Sequence, residues 1–395
     1  MNYILFDDDS WENLLPLTFT RPVSEIRIGI LTLKEKWEYF LKKKCYNLSQ
    51  EYLQEKYPIN ISDDNILINS SVLPTPDLMD KIQNLQHNEA LLSRSLLVAV
   101  RLNRDKLVNF WYRDTSQFGQ ILYKPTVYII EYPWNIFSLN DMALRNDYEL
   151  LTTNRKSSPI SKTNQVISAE NIFIEPGAKV EFATLNGSTG PIYIDKDAEV
   201  MEGSLIRGPF YLGKHSATKL GTKIYGATTI GPHCKVGGEL NNVVLFGYSN
   251  KAHDGFLGNA VIGEWCNIGA DSNNSNLKNN YALVRMWNYK EEKFIRTGLQ
   301  FAGLVMGDHS KCGINTMFNT GTVIGVSANI FGAGFPRNYI PSFSWGGAHG
   351  FTTYALNKVF ETIETVMARR QKKFNRQEQD VVTKVFSLTE KYRKF

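Results

Sequence analysis

The chain is poor in the groups that build metal cages and disulfide frameworks. Its 395 residues include only four cysteines and six histidines. Cys45, Cys234, Cys266 and Cys312 form no C-x-x-C pair, so neither a zinc cage nor a disulfide set is indicated. Free thiols suit a reducing, cytoplasmic compartment. Long apolar runs are absent, and no membrane insertion is expected. The first residues reach Asp7, Asp8 and Asp9 at once, which is not the pattern of a secretory leader. Charge of one sign is scarce as well. The net charge of +5 is local, because residues 369–395 hold nine basic side chains against three acidic ones. The rest of the chain is close to neutral, which argues against a general nucleic-acid surface. The basic tail reads either as a solvated helix face or as groups that meet phosphates of a cofactor.

What the chain does have is a beat. Ile194, Val200, Ile206, Leu212, Thr218, Ile224, Ile230 and Val236 stand six residues apart. The beat returns in a new phase at Val244, Asn250, Phe256, Ile262 and Ile268, and again at Met306, Cys312, Phe318, Ile324 and Ile330. One buried aliphatic every six residues, with Gly, Ala, Asn and Ser between, predicts a hexapeptide β-helix. Three short sides make one coil, and the inward residues stack into columns. Cys312 then falls on an inward position as a small hydrophobe. Coils of this class mostly transfer acyl groups to sugars and small amines.

Three regions follow, so the chain reads as multidomain. Residues 1–155 mix strand and helix signals and predict an α/β, Rossmann-like layer fold. "NYILF", "NILINSSVL", "SLLVAVRL" and "TVYIIEYPW" read as strands, and "ILTLKEKWEYFLKKK" as an amphipathic helix. A polar stretch at about 150–165 reads as the linker. Residues 156–345 are the coil, interrupted by a segment at 272–301 that alternates like a hairpin around Trp287, Tyr289 and Phe294. Such insertions usually lie on one face and often line a binding site. Residues 346–395 are helical, with Leu356, Val359, Ile363 and Val366 on one face, and are expected to cap the coil.

Two stretches resemble the bacterial bifunctional family that acetylates glucosamine-1-phosphate and then uridylylates the product. That family joins a sugar nucleotidyltransferase domain to a left-handed β-helix and is trimeric. The stronger likeness is "SNKAHDGFLGNAVIGEWCNIGADSNNSN" (249–276). It implies His253 as general base, Ala270 beside Gly269 as the backbone donor to the acyl group, and Asn276 as a sugar contact. Phe256, Asn259 and Leu277 depart from the family's Tyr, Asp and Tyr. The weaker likeness is "LLPLTFTRP" (14–22) after the first strand. There the family's Gly-rich phosphate loop is replaced by Asp7, Asp8, Asp9 and Trp11, and its metal-binding Asp by Asn69, Ser70 and Ser71. Bare backbone N–H groups cradle phosphate, whereas three carboxylates repel it.

The candidate residues carry two readings each. His253 is a general base near neutral pH or an exposed turn histidine, and Asp254 is placed to orient it. His309 contacts a cofactor or forms a coil corner. Lys251 offers charge to an acceptor phosphate. Asn274 and Asn276, with Asn273, Asn279 and Asn280, read sugar hydroxyls or form a turn tolerant of left-handed geometry. His215 and His233 fall in turns without motif support. Arg21 meets phosphate or lies on the surface. Asp7 and Asp8 hold a metal or are solvated.

The leading expectation is an acyltransferase that uses acetyl-CoA or another acyl-CoA on an amino-sugar phosphate or nucleotide sugar, as a homotrimer. The alternatives are a sugar-1-phosphate nucleotidyltransferase, with Mg2+ as cofactor and the coil as oligomerisation module, and a non-catalytic scaffold.

Overall fold

A computed structural model describes residues 1–395. Contacts divide it into two compact units. One comprises Met1–Leu14, Thr20–Ile26 and Leu31–Tyr132. The other comprises Leu15–Phe19, Arg27–Ile30 and Pro133–Phe395.

The first unit is built on Asn2–Phe6 (β1), Cys45–Leu48 (β2), Asp64–Asn69 (β3), Glu89–Ser93 (β4), Leu96–Asn103 (β5) and Gly119–Leu122 (β6), in the order β2-β1-β3-β5-β4-β6. Pairing is parallel from β2 through β1 to β3 and antiparallel from β3 to β5 and β5 to β4. The unbroken apolar run of β1 is explained by burial on both faces. Tyr3 and Leu5 pack with Trp37, Ile68 and Ile82, while Ile4 and Phe6 pack with Leu67 and Val100. The predicted helix forms as Leu33–Leu41, started by a capping box between Thr32 and Glu35. The strand predicted over 126–134 does not form. Only an isolated Val72–Ile129 bridge remains, and Pro133 opens a helix instead, Pro133–Ser138.

The second unit is a parallel β-solenoid with three sides per coil. Along one side, Ile194 pairs with Leu212, Leu212 with Ile230, Ile230 with Leu245, Leu245 with Ile262, Ile262 with Met306 and Met306 with Ile324. These residues form one continuous interior with the aliphatics of the other sides. The predicted beat is met from Ile194 to Val236 and from Met306 to Ile330. Between them it slips by one residue at Val244, Asn250 and Phe256 and is met again at Ile262 and Ile268. The rung after Ile230 is shorter than its neighbours, and the inward positions become Leu240, Leu245, Lys251 and Leu257 rather than Val244, Asn250 and Phe256.

One corner repeats in every coil. Asp197, His215, His233, Tyr248, Trp265, His309, Ser327 and Phe343 all have positive φ. From His215 onward each closes its turn by donating its N–H to the coil before, as His233 does to the Lys214 carbonyl and His309 to that of Glu264. Stacking follows from this repetition. Ring centroids are 5.0 Å apart for His215–His233, 4.7 Å for His233–Tyr248, 4.2 Å for Tyr248–Trp265 and 6.4 Å for Trp265–His309.

The compact units do not coincide with the predicted domain limits. The helix Asn140–Thr152, drawn into the first domain by sequence, packs on the solenoid. Asn140 is fully buried there. Its carboxamide accepts from the Gly29 N–H (2.8 Å) and the Thr229 hydroxyl (3.1 Å) and donates to the Ala227 carbonyl (2.9 Å). The second compact unit thus takes up the chain again at Pro133. At the far end the sheet continues past residue 345, because Gly350–Thr353 pairs antiparallel with Ser344–Gly347. Helices Leu356–Ala368 and Arg376–Leu388 follow, burying Val359, Ile363, Met367, Val381, Val382 and Val385. The second is tied to the solenoid by Phe386 against Phe343 (4.9 Å), with the Arg393 guanidinium over the Phe386 ring (4.2 Å). No helix is long and apolar enough to cross a membrane.

The stacked interior makes a stability prediction. Ile324→Ala empties a fully buried position in the column. It should lower the unfolding free energy by about 2–5 kcal/mol, read by urea denaturation of the whole chain. Leu220→Ala, at a 69 % exposed position, should change it by less than about 0.5 kcal/mol.

Candidate functional site

The segment singled out by sequence crosses three successive coils. His253 is exposed on a turn between two sides of the solenoid. What fixes the turn lies underneath it. Lys251 occupies an inward position of the column, paired in register with Val236, and is 1 % exposed. Its ammonium donates to the carbonyls of His253, Asp254 (3.0 Å) and Gly237 (3.2 Å). Burial pushes its pKa down to about 8, although the nearby carboxylates of Asp254 and Asp271 work the other way. Lys251 is thus no surface charge for an acceptor phosphate. It is an internal clamp that satisfies the carbonyls of the His253 turn.

The turn has no slack on its other side. A Cβ on Gly255, whose φ is +110°, would lie 2.2 Å from the Ser272 carbonyl oxygen. The Asp254 carbonyl also accepts from the Asp271 N–H at 3.0 Å. The Asp254 carboxylate makes neither a hydrogen bond nor an ion pair with the imidazole, so the expected orienting role has no contact behind it. Gly269 spends its N–H on the Cys312 carbonyl (3.1 Å), while no group of the fold uses the N–H of Ala270. Ala270 is thereby left as a backbone donor, and Gly269 is not.

The asparagines divide. Asn274 is buried within the coil, accepting from the Gly258 N–H (2.8 Å) and donating to its carbonyl (3.0 Å). It ties one rung to the next and does not face a ligand. Asn276 is half-buried and donates to Asn259 at 2.8 Å. The left-handed positions expected among 273–280 fall instead on Asn242 and Asn259. His309 is 7 % exposed and takes its place in the corner ladder, as the corner reading holds. All four cysteines are buried and free. Burial raises the Cys234 and Cys312 thiols above the usual range, which leaves them unreactive. Lys251 was legible as a charge but not as an interior residue, because its phase depends on the short rung.

In the first unit the acidic run is consumed internally. Asp7 accepts from the Ser49 hydroxyl (2.5 Å) and the Val23 N–H (3.2 Å). Asp8 accepts from the Ser10 N–H (2.9 Å) and the Asn69 amide (2.7 Å). Asp9 holds Tyr112 at 2.6 Å and pairs with Arg113. Burial pushes the Asp7 carboxyl up to about 7, against the lowering effect of its hydrogen bonds. No group of three His, Cys, Asp or Glu side chains is placed to hold a metal ion. Arg21 is 5 % exposed, which overturns the surface reading for it.

Residues 3–156 match the family model described as sugar nucleotidyl transferase. The match covers well under half of the chain and stops short of the solenoid coils. It runs past the compact first unit, because the helices at 133–152 pack on the solenoid. No curated protein matches this sequence. Among solved structures, a UDP-N-acetylglucosamine acyltransferase from Arabidopsis is 17 % identical, with 60 % of this chain and 82 % of that one covered at a TM-score of 0.27. The N-acyltransferase AntD from Bacillus cereus, crystallised with dTDP and coenzyme A, is 12 % identical over 53 % and 87 % of the two chains at a TM-score of 0.20. A UDP-N-acetylglucosamine acyltransferase from Campylobacter jejuni is 15 % identical over 59 % and 83 %, at 0.18. Identities and scores are low, and the assignment of a solenoid rests on its strand register.

Asp7 yields a pH prediction. Its folded pKa lies above the unfolded value of about 3.9. The stability it contributes is therefore full below about pH 4 and is lost as pH rises through about 7. Asp7→Asn, which cannot ionise, should gain on the wild type by about 2–4 kcal/mol between pH 4.5 and pH 8. An equal difference at both pH values in urea unfolding would show that Asp7 is not a buried acid.

Proposed function

We propose that the solenoid transfers an acyl group from an acyl-CoA to the amino group of a sugar phosphate or nucleotide sugar, with His253 as general base. The observation that carries this reading is the His253 turn. An exposed imidazole stands on a backbone clamped from inside by Lys251 and hemmed by Gly255. A base of this kind keeps one position while its ring stays open to substrate. The resemblance of residues 249–276 to the acetyltransferase segment supports it.

In this reading His253 takes a proton from the sugar's ammonium. The freed amine attacks the thioester carbonyl, and the Ala270 N–H donates to the oxygen that gains charge. The new C–N bond forms as the C–S bond breaks, the nitrogen gives its second proton to the departing thiolate of CoA, and His253 releases the first proton to solvent. Phe256 and Leu277, in place of the family's tyrosines, remove two hydroxyls, so the acceptor is expected to differ from glucosamine-1-phosphate. The active assembly is proposed to be a homotrimer.

The family match of residues 3–156 favours a second activity in the same chain, nucleotidyl transfer to a sugar-1-phosphate with Mg2+. Against it stands the acidic loop. That objection is weaker than the bare sequence implies, since burial raises the Asp7 carboxyl and Asp8 and Asp9 already have partners.

The test is thiol release from acetyl-CoA with a panel of amino-sugar phosphates and UDP- or dTDP-amino sugars. His253→Ala should lower the rate by about 10²–10⁴-fold. An unchanged rate removes His253 as base. No release with any acceptor, alongside Mg2+-dependent pyrophosphate release from an NTP, moves the function to the first unit. Neither activity would leave a scaffold. Light scattering that finds a monomer would remove the trimer.

A further inference from the structure

The insertion is more than an interruption. Arg285–Asn288 and Lys293–Arg296 pair antiparallel as the expected hairpin. With the final coils and the chain's last residues it forms a cleft of about 1000 Å³. Three separate segments send cations into it: Lys278, Arg285 and Lys293 from the insertion, Arg337 from the last coil, and Lys394 from the tail. The one carboxylate in the lining, Glu292, is taken up by an ion pair with Lys391 at 2.5 Å. The Trp287 ring lies parallel to that of Tyr339, with centroids 4.1 Å apart, and Phe294 meets it edge-on at 5.5 Å. Arg285 is held in place by donating to the Phe294 carbonyl (2.7 Å).

Lys293 is paired with Glu291 at 2.8 Å. The other four cations converge with no free counter-charge and would repel one another in an empty cleft. Such a cluster suits a ligand that brings several negative charges at once, and guanidinium groups match phosphate in shape. An aromatic wall beside a phosphate site suits a planar base. We propose that this cleft binds a nucleotide, with its oligophosphate on Arg285 and Arg337 and its base against Trp287. This assignment stands without acyl transfer and without His253. The same chemistry is offered by the adenosine phosphates of a coenzyme A and by a nucleotide sugar.

Calorimetric titration of the full chain with coenzyme A, UDP-N-acetylglucosamine and inorganic pyrophosphate separates these sources. At least one of the two nucleotides should bind, and more weakly as salt rises. Arg285→Glu combined with Arg337→Glu, both at exposed positions, should weaken binding about 100-fold. Trp287→Ala should weaken the nucleotide about tenfold and leave pyrophosphate within about twofold. Circular dichroism and melting curves confirm that each variant folds. His253→Ala should bind as the wild type does, and a wild type that binds nucleotide but releases no thiol from acetyl-CoA sinks only the catalytic reading. Binding of neither nucleotide overturns the proposal. So does equal binding by the charge-reversed pair, or pyrophosphate binding with no nucleotide binding.

Discussion

Everything in the second unit depends on one constraint, the in-register stacking of coils. Parallel pairing obliges each inward side chain to sit on the one before it, so a single residue's position is set by the length of the rung leading to it. This is why the rung after Ile230 matters more than its few missing residues suggest. It brings Lys251 into the column where Val236 precedes it and Ile268 follows in the core. An ammonium among aliphatics is tolerable only if it is solvated by something else. The carbonyls of the next turn do this, and the His253 turn becomes rigid as a result. Shortened rung, buried cation and fixed turn are a single event in the chain.

The same constraint explains the corner ladder. A corner that closes with positive φ in every coil places its side chains one above another at the rung spacing. Aromatic and imidazole rings fill that column with near-parallel faces from His233 to Trp265. His is among the residues that tolerate this left-handed geometry, whereas the bulky Tyr248 and Trp265 offset its cost by stacking.

Much of this was legible in the sequence. The six-residue beat identified the solenoid and most of its inward positions, because one aliphatic per side is a strong periodic signal. The hairpin at 285–296 and the helix at Leu33–Leu41 were also readable, from alternation and from amphipathic spacing. The failures share a cause, which is that local pattern cannot report tertiary demand. "TVYIIEYPW" has the composition of a strand, but no edge of the sheet receives it. The helix at Asn140–Thr152 lies before the polar stretch that looks like a linker, yet its Asn140 satisfies groups of the solenoid unit. Within the candidate site, His253 stood out by its flanks. Asn274 and Lys251 looked like ligands because polar residues are normally exposed, and only the register shows them inside.

The hairpin bears on how such a chain changes over generations. It leaves the solenoid after one rung and rejoins at the next, so Ile262 still meets Met306 as though nothing intervened. The backbone pairing on either side neither knows nor cares how long the excursion is. A length of polypeptide can therefore be lengthened, recoloured or exchanged at that place while the load-carrying coils keep their sequence. Val284, Met286 and Tyr289 are buried and anchor the excursion, so its exposed positions are the ones free to drift toward a new ligand at a pace the scaffold itself could not survive.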